Sequence, residues 1–252
     1  HRTVVTFVGP PDAVAEAAVE MGVPRRPDFN TGDNEGVGYF HVNQKAGLRW
    51  SAARAFLQPV LNRPNLRLET GVLVERLVLE GGRAAGVRLR RGGESVTARC
   101  RGEVILAAGA LGSVQILQLS GIGRPDWLAE VGIETAVARP GVGGNLQDHL
   151  QQRAIYRVSG ARTLNTDYHS LAGRALMGLD FALRRRGPLT MAPSQLGIFT
   201  RSRPDVERAD IEFHVQPLSL EKFGEPLHPF AAVTVSACNL RPTSASTLTS
   251  DR

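Results

Sequence analysis

Lysine is nearly missing from this 252-residue chain: only Lys45 and Lys222 occur, so the net charge of +6 comes almost wholly from arginine. The arginines are spread out, and the one tight run, Arg184-Arg185-Arg186, falls at the end of an expected helix, where cations suit the C-terminal dipole. It reads as a solvated helix end or as a patch for an anionic surface. No nucleic-acid partner is expected from so isolated a cluster. Cysteine is as scarce. Cys100 and Cys238 have no CxxC partner and no metal spacing, so neither a zinc module nor a disulfide scaffold is expected. Both fall in expected strands, as buried free thiols in a reducing compartment. No apolar run approaches the length of a membrane span, and Phe230–Ala237 is far too short. The expectation is a cytoplasmic protein without an integral membrane segment, at most peripheral to the inner membrane. An initiating Met and a signal peptide are also lacking, and the chain starts at His1 in mid-pattern, so a fragment of something longer is expected. Walker, HExxH, GxSxG and GxGxxG motifs are absent.

What is present is an ordinary globular composition, 42% hydrophobic and 21% charged, long enough for one or two domains with a sizeable core. The stretch Glu103–Gly123 organises it. Val104–Ala108 is a short continuous apolar run, which predicts a strand buried on both faces of a parallel sheet. Gly109 ends it, where a residue without Cβ lets the backbone turn or lie against a ligand. Ser113 is placed to cap a helix carrying Ile116, Leu117 and Ser120 on one face, closed by Gly121 and Gly123. Strand, glycine turn and helix N-terminus suit a phosphate or dinucleotide edge. They equally suit a purely structural unit.

From the start of the chain, Pro11–Met21 reads as an amphipathic helix with Val14, Ala17, Ala18 and Met21 on its apolar face. Residues 28–47 read as a long irregular connection. Ser51 opens a helix to about Asn62, bent by Pro59. Strands are expected at 66–69, 72–79, 83–91 and 95–100, with Gly81-Gly82 as a tight hairpin turn. A small helix at 126–131 and a strand at 133–138 follow, then a glycine-rich loop at 140–149. Beyond it, strands at 152–158, 195–200, 210–216 and 230–240 surround a long helix, His169–Arg186, with Leu171, Ala175, Leu179, Ala182 and Leu183 on one side. That grouping predicts an antiparallel sheet and a second domain, with the boundary near residue 150.

Among the six histidines, His41 and His149 sit in loops, and His1, His169 and His228 have no obvious partner. Around His214, Ile211, Phe213 and Val215 alternate with Glu212, His214 and Gln216, so the strand has an apolar and a polar face. The polar face could line a pocket, with His214 available for proton transfer, or be solvated.

Several motifs stand in an order that resembles the glucose–methanol–choline oxidoreductase family. Gly109–Gly123 resembles that family's second signature. Asp28-Phe29-Asn30, Glu35–Tyr39, Gly47–Leu57 with Ser51-Ala52-Ala53, Arg63-Pro64-Asn65-Leu66, the loop Pro140–His149 and Leu240-Arg241-Pro242 match in sequence. The resemblance is dense from about residue 10 to 150 and thinner beyond. It implies a flavoprotein that oxidises an alcohol to an aldehyde or ketone with FAD as cofactor. The implied fold class is α/β plus α+β: the middle of a Rossmann-like FAD-binding domain over residues 1–150, and part of an antiparallel-sheet substrate domain over 151–252. It also implies cofactor contacts at Val74, Ala108 and Gly109, and substrate contacts at Gln195, with His214 on the polar strand face beside it. Gln195 stands where choline-oxidising members carry a Glu, and a neutral amide argues against choline.

The departures are specific. The family's N-terminal GxGxxG unit and its C-terminal catalytic His motif are not in this sequence, and none of the six histidines occupies the latter, so no catalytic residue and no metal site are assigned. Ser113-Val114 replaces a usual Ser-Pro, Gly144 a usual Glu, and Ser244-Ala245-Ser246 a usual Ser-Arg-Gly. Two other readings stay open: a FAD-containing cyanohydrin lyase of the same family, and a non-catalytic fragment.

Overall fold

The computed structural model describes residues 2–4, 9–222 and 224–249, with backbone alone for 2–4. In chain order the first elements are β1 (Arg2–Val4), α1 (Pro10–Glu20), β2 (Gly36–Tyr39), β3 (His41–Lys45) and β4 (Leu48–Arg49). A π-helical turn, Ala53–Leu57, and a 3₁₀ turn, Gln58–Val60, follow. Then come β5 (Val72–Glu80), β6 (Arg83–Arg91), β7 (Glu94–Arg99), α2 (Gly109–Leu119), β8 (Ile122–Gly123), α3 (Pro125–Glu130) and β9 (Val137–Ala138). The last are β10 (Gln151–Arg157), α4 (Leu164–His169), α5 (Leu171–Arg184), β11 (Leu196–Thr200), β12 (Ile211–Gln216) and β13 (Ala232–Asn239).

The chain forms two compact units, one of residues 1–60 with 149–242, the other of 61–148 with 243–252. The chain crosses between them at 148/149, and residues 1–60 group with 149–242 rather than with 61–148. The crossings at 60/61 and 242/243 have no counterpart in the sequence reading.

The first unit is built on an antiparallel sheet in the order β10-β13-β12-β11-β2. Registered pairs place Tyr39, Leu196, Val215 and Val235 on one face, joined by Val37, Ile198, Phe213 and Val233. Ala15 and Ala18 of α1 pack on this face and close a core. Pro10 and Pro11 pre-set the first turn of α1, and Asp12 Oδ2 accepts the Gly9 N–H at 3.0 Å. The buried side of α1 is rotated from the expected one: Met21 is 86% exposed and Ala15 is buried. Residues 36–45, expected to be irregular, form two strands. β2 pairs with β11, about 160 positions away in sequence, so local pattern gives no sign of it, while β3 pairs with β1 and, in a short hairpin, with β4.

The expected long helix, His169–Arg186, is α5, Leu171–Arg184; a short helix, α4, precedes it and is set off at Ser170, whose Oγ accepts the Gly173 N–H at 3.2 Å. Its buried side is also different. Gly173 and Met177 face inward, while Leu171, Leu179 and Leu183 are more than half exposed. A Cβ on Gly173 would lie 2.4 Å from the Asp167 carbonyl oxygen, so close approach of α4 fixes which side of α5 turns in.

The second unit holds the expected meander, β5-β6-β7. Gly81 and Gly82 both have positive φ, 55° and 77°, the two-residue turn that matches strand twist. Ser120 Oγ accepts the Leu77 N–H at 2.8 Å and ties the meander to the end of α2. Leu77, Ile116 and Leu128 are its buried apolar residues. Residues 66–69 are not a strand, and the strand expected at 133–138 shrinks to β9, paired in parallel with β8.

The main correction concerns Val104–Ala108. It forms no strand, and Ile105 is 80% exposed. A strand exists through its ladder, and among the described residues no neighbour pairs with this run on either side. An apolar run can announce burial, but it cannot supply the partner.

Candidate functional site

Each unit carries one part of the predicted site. In the second unit, Ala108 precedes α2 and Gly109 opens it with φ +79°, a conformation L side chains rarely adopt. A Cβ on Gly109 would meet nothing within 4 Å, so packing does not demand the glycine; backbone shape and open space in front of it do. Ser113 does not cap the helix as expected. It lies inside α2, and its Oγ accepts the Ala108 N–H at 3.1 Å. The first turn of α2 therefore has no side-chain cap, and its N–H groups are available to an electron-rich edge. Val74 is half-buried on β5, the strand packed against α2, and stands directly before a register shift that leaves Glu75 unpaired in the ladder. Such a bulge re-aims side chains. Arg90 donates to Glu75 at 2.7 and 3.0 Å, which holds the bulge. An uncapped helix start, an exposed Ala108 and an open Gly109 fit the approach of a flat dinucleotide edge.

In the first unit, the sheet face opposite α1 is polar, as the alternation around His214 predicts. Register places Gln195 beside Gln216 and Thr234, and His214 between Gly197 and Ser236, so the two predicted substrate residues share one face. Gln195 is 3% exposed, and its Nε2 donates to Met191 Sδ at 2.8 Å. His214 Nε2 lies 3.3 Å from Glu212 Oε1. If Nε2 carries the proton, Nδ1 is the acceptor, and this atom is buried without a partner among the described residues, as is Gln216 Oε1. The face thus holds a sheltered proton acceptor braced by a carboxylate, together with buried amides.

Three residue types escaped the sequence reading. Glu212 was visible only as a polar alternation, not as the partner of His214. Phe40 lies over Gly197, where a Cβ would come within 2.4 Å of its ring, and its centroid is 5.5 Å from that of His214. Phe29 and Phe199 complete the aromatic cluster. The available signal was Gly197 itself, since glycine inside a strand marks a close approach. His228 and His169, read as partnerless, are engaged: His228 Nδ1 lies 3.0 Å from Ser219 Oγ, and His169 Nε2 lies 2.8 Å from the Leu227 carbonyl. His1 lies outside the described residues. Both cysteines are free, and burial pushes the Cys238 thiol up, which leaves it unreactive.

Comparison with known proteins gives this geometry its context. Choline dehydrogenase of Mus musculus mitochondria is 38% identical over 232 residues, covering 92% of this chain and 39% of that protein. An alcohol dehydrogenase [acceptor] of Pseudomonas putida is 35% identical over 232 residues, covering 91% of this chain and 42% of that one. The crystal structure of pyridoxine 4-oxidase from Mesorbium loti superposes with a TM-score of 0.79 at 26% identity, over 98% of this chain and 45% of the other. The chain therefore spans less than half the length of these relatives. The family model for GMC oxidoreductase matches residues 8–151, more than half of the sequence and the whole stretch from α1 to the start of β10. The chain belongs to the GMC oxidoreductase family.

Proposed function

We propose that the parent of this chain is an FAD-dependent enzyme that oxidises a small alcohol to an aldehyde or ketone. FAD, when bound, supplies the hydride-accepting chemistry. The observation that carries the reading is the open, positive-φ Gly109 at the uncapped start of α2, inside the matched family region. Residues 61–148 belong to the cofactor domain in this reading. Ala108 and Gly109 bring backbone against the adenosine edge, and Val74 meets the adenine with its backbone. Residues 151–242 belong to the substrate domain. There, Gln195 and His214 present an amide and an imidazole to the alcohol, and Glu212 orients the imidazole. No residue of this chain is assigned as the base. The dehydrogenase and oxidase names of the relatives favour redox chemistry over the lyase alternative. The dehydrogenase names also include choline, while the neutral Gln195 supports a substrate without a quaternary ammonium.

The test is flavin content of the purified parent carrying Gly109→Val, against Gly92→Val as control. Both glycines have positive φ, 79° and 57°, and open space at Cβ, so backbone strain is comparable. Strain of this kind costs about 1–2 kcal/mol. Gly109→Val is expected to lose most of its flavin and Gly92→Val to retain it. Equal, normal flavin in both would make Gly109 a structural turn only.

A further inference from the structure

We infer that the cleft between the β3–β4 hairpin and residues 189–193 is a binding site for an organic anion with an apolar or aromatic body. This goes beyond the redox reading and stands without it. The cleft has a volume of about 560 Å³, within the range of small-molecule sites. One wall is apolar, formed by Leu189, Met191 and Pro193. Asn43, Arg49 and Trp50 of the hairpin segment also line it. No lining residue is acidic. Arg49 is exposed at the cleft with no carboxylate partner among the described residues, whereas Arg25 and Arg26 each have one. Lys45, one of two lysines in the chain, sits over the Trp50 ring at 4.9 Å, also without a carboxylate among the described residues. An uncompensated guanidinium thus lines the cleft together with an indole and apolar side chains, and Lys45, outside the lining, adds positive charge at that indole. A carboxylate or phosphate satisfies the guanidinium bidentately, and an aromatic body fills the space between Trp50 and the apolar wall. The site is built on a short hairpin turn, where Gly47 lies so close to Arg185 that a Cβ would meet its carbonyl oxygen at 2.3 Å, so the wall is held rather than free.

The experiment is a titration of the 252-residue chain, with Trp127→Phe so that Trp50 alone reports by fluorescence, and calorimetry as a readout independent of the indole. The probes are benzoate, phenyl phosphate, benzyl alcohol and inorganic phosphate. Benzoate or phenyl phosphate is expected to saturate, and their rank names the headgroup. Benzyl alcohol lacks the charge and inorganic phosphate lacks the body, and each is expected to bind at least about tenfold more weakly. Arg49→Met, an exposed change that leaves the core intact, is expected to weaken the preferred anion by about tenfold or more, with the same circular dichroism spectrum. Binding of the anion is also expected to weaken with added salt. Equal binding of benzyl alcohol and benzoate, unchanged affinity in Arg49→Met, or no saturation by either aromatic anion at about 10 mM would overturn the inference. None of these outcomes depends on flavin, so failure here leaves the redox reading intact.

Discussion

Tyr39 shows how one side chain joins local and tertiary structure. It sits on β2, and its hydroxyl donates to Asp12 Oδ1, while Asp12 Oδ2 accepts the Gly9 N–H at the start of α1. Burial, reinforced by the hydrogen bond and by the charge of Asp12, raises the Tyr39 phenol well above its ordinary 10.0. The folded state therefore keeps a proton that the unfolded chain has lost. The resulting stabilisation is complete below about pH 10 and is lost as pH climbs from there towards the raised value. Urea unfolding of wild type and Tyr39→Phe at about pH 8 and about pH 11 checks this. The variant is expected to be less stable by about 0.5–1.5 kcal/mol at the lower pH, and the gap is expected to narrow at the higher. A gap that widens with pH would mean the phenol is not held neutral. Sequence gave notice of neither partner, because Asp12 and Tyr39 are far apart in the chain and meet only when β2 joins the sheet.

At the scale of elements, α5 separates what periodicity can tell from what packing decides. Its pattern is amphipathic, and the helix forms, but the side with more leucine is the exposed one. Met177 is 7% exposed and Leu176 60%. Met177→Ala is expected to cost about 2–5 kcal/mol in denaturant unfolding, whereas Leu176→Gln is expected to stay within about 0.5 kcal/mol of wild type. The reverse order would place the leucine side against the sheet. The meander β5-β6-β7 was fully legible because its partners are neighbours in sequence and its turns carry paired glycines. The polar face of β12 was legible because a period of two survives in any sheet. By contrast, β2, whose partner β11 is distant in sequence, and Val104–Ala108, which no strand pairs among the described residues, depend on tertiary neighbours that composition and spacing could not show. The same division applies to the candidate site. His214 was found by alternation, Gly109 by its place after an apolar run, and Glu212 and Phe40 only by their neighbours in space.

For the molecule as a whole, the two halves of the proposed site are present but the phosphate-binding turn is not. The sequence contains no GxGxxG, and the glycine turn at the start of α2 has no strand before it to complete a pyrophosphate-holding unit. The start of α2 offers open backbone for an edge of the cofactor, which is a small part of a dinucleotide's contacts. Leu73, Ile105 and Leu111 of the second unit are 64%, 80% and 60% exposed, so this unit carries uncovered apolar surface. General-base catalysis is typically worth about 10²–10⁴-fold, and the chain has no assigned base. The 252-residue chain alone is therefore expected to bind FAD weakly or not at all, to oxidise no alcohol, and to self-associate as its concentration rises. Ultrafiltration with added FAD, dye reduction with a panel of alcohols, and sedimentation across a concentration series measure the three. Flavin is expected in the filtrate, with no dye bleached. A stoichiometrically yellow chain whose flavin bleaches with any alcohol would overturn this. The His214–Glu212 pair would then be the first candidate for the base, and loss of bleaching in His214→Gln at unchanged flavin content would assign it.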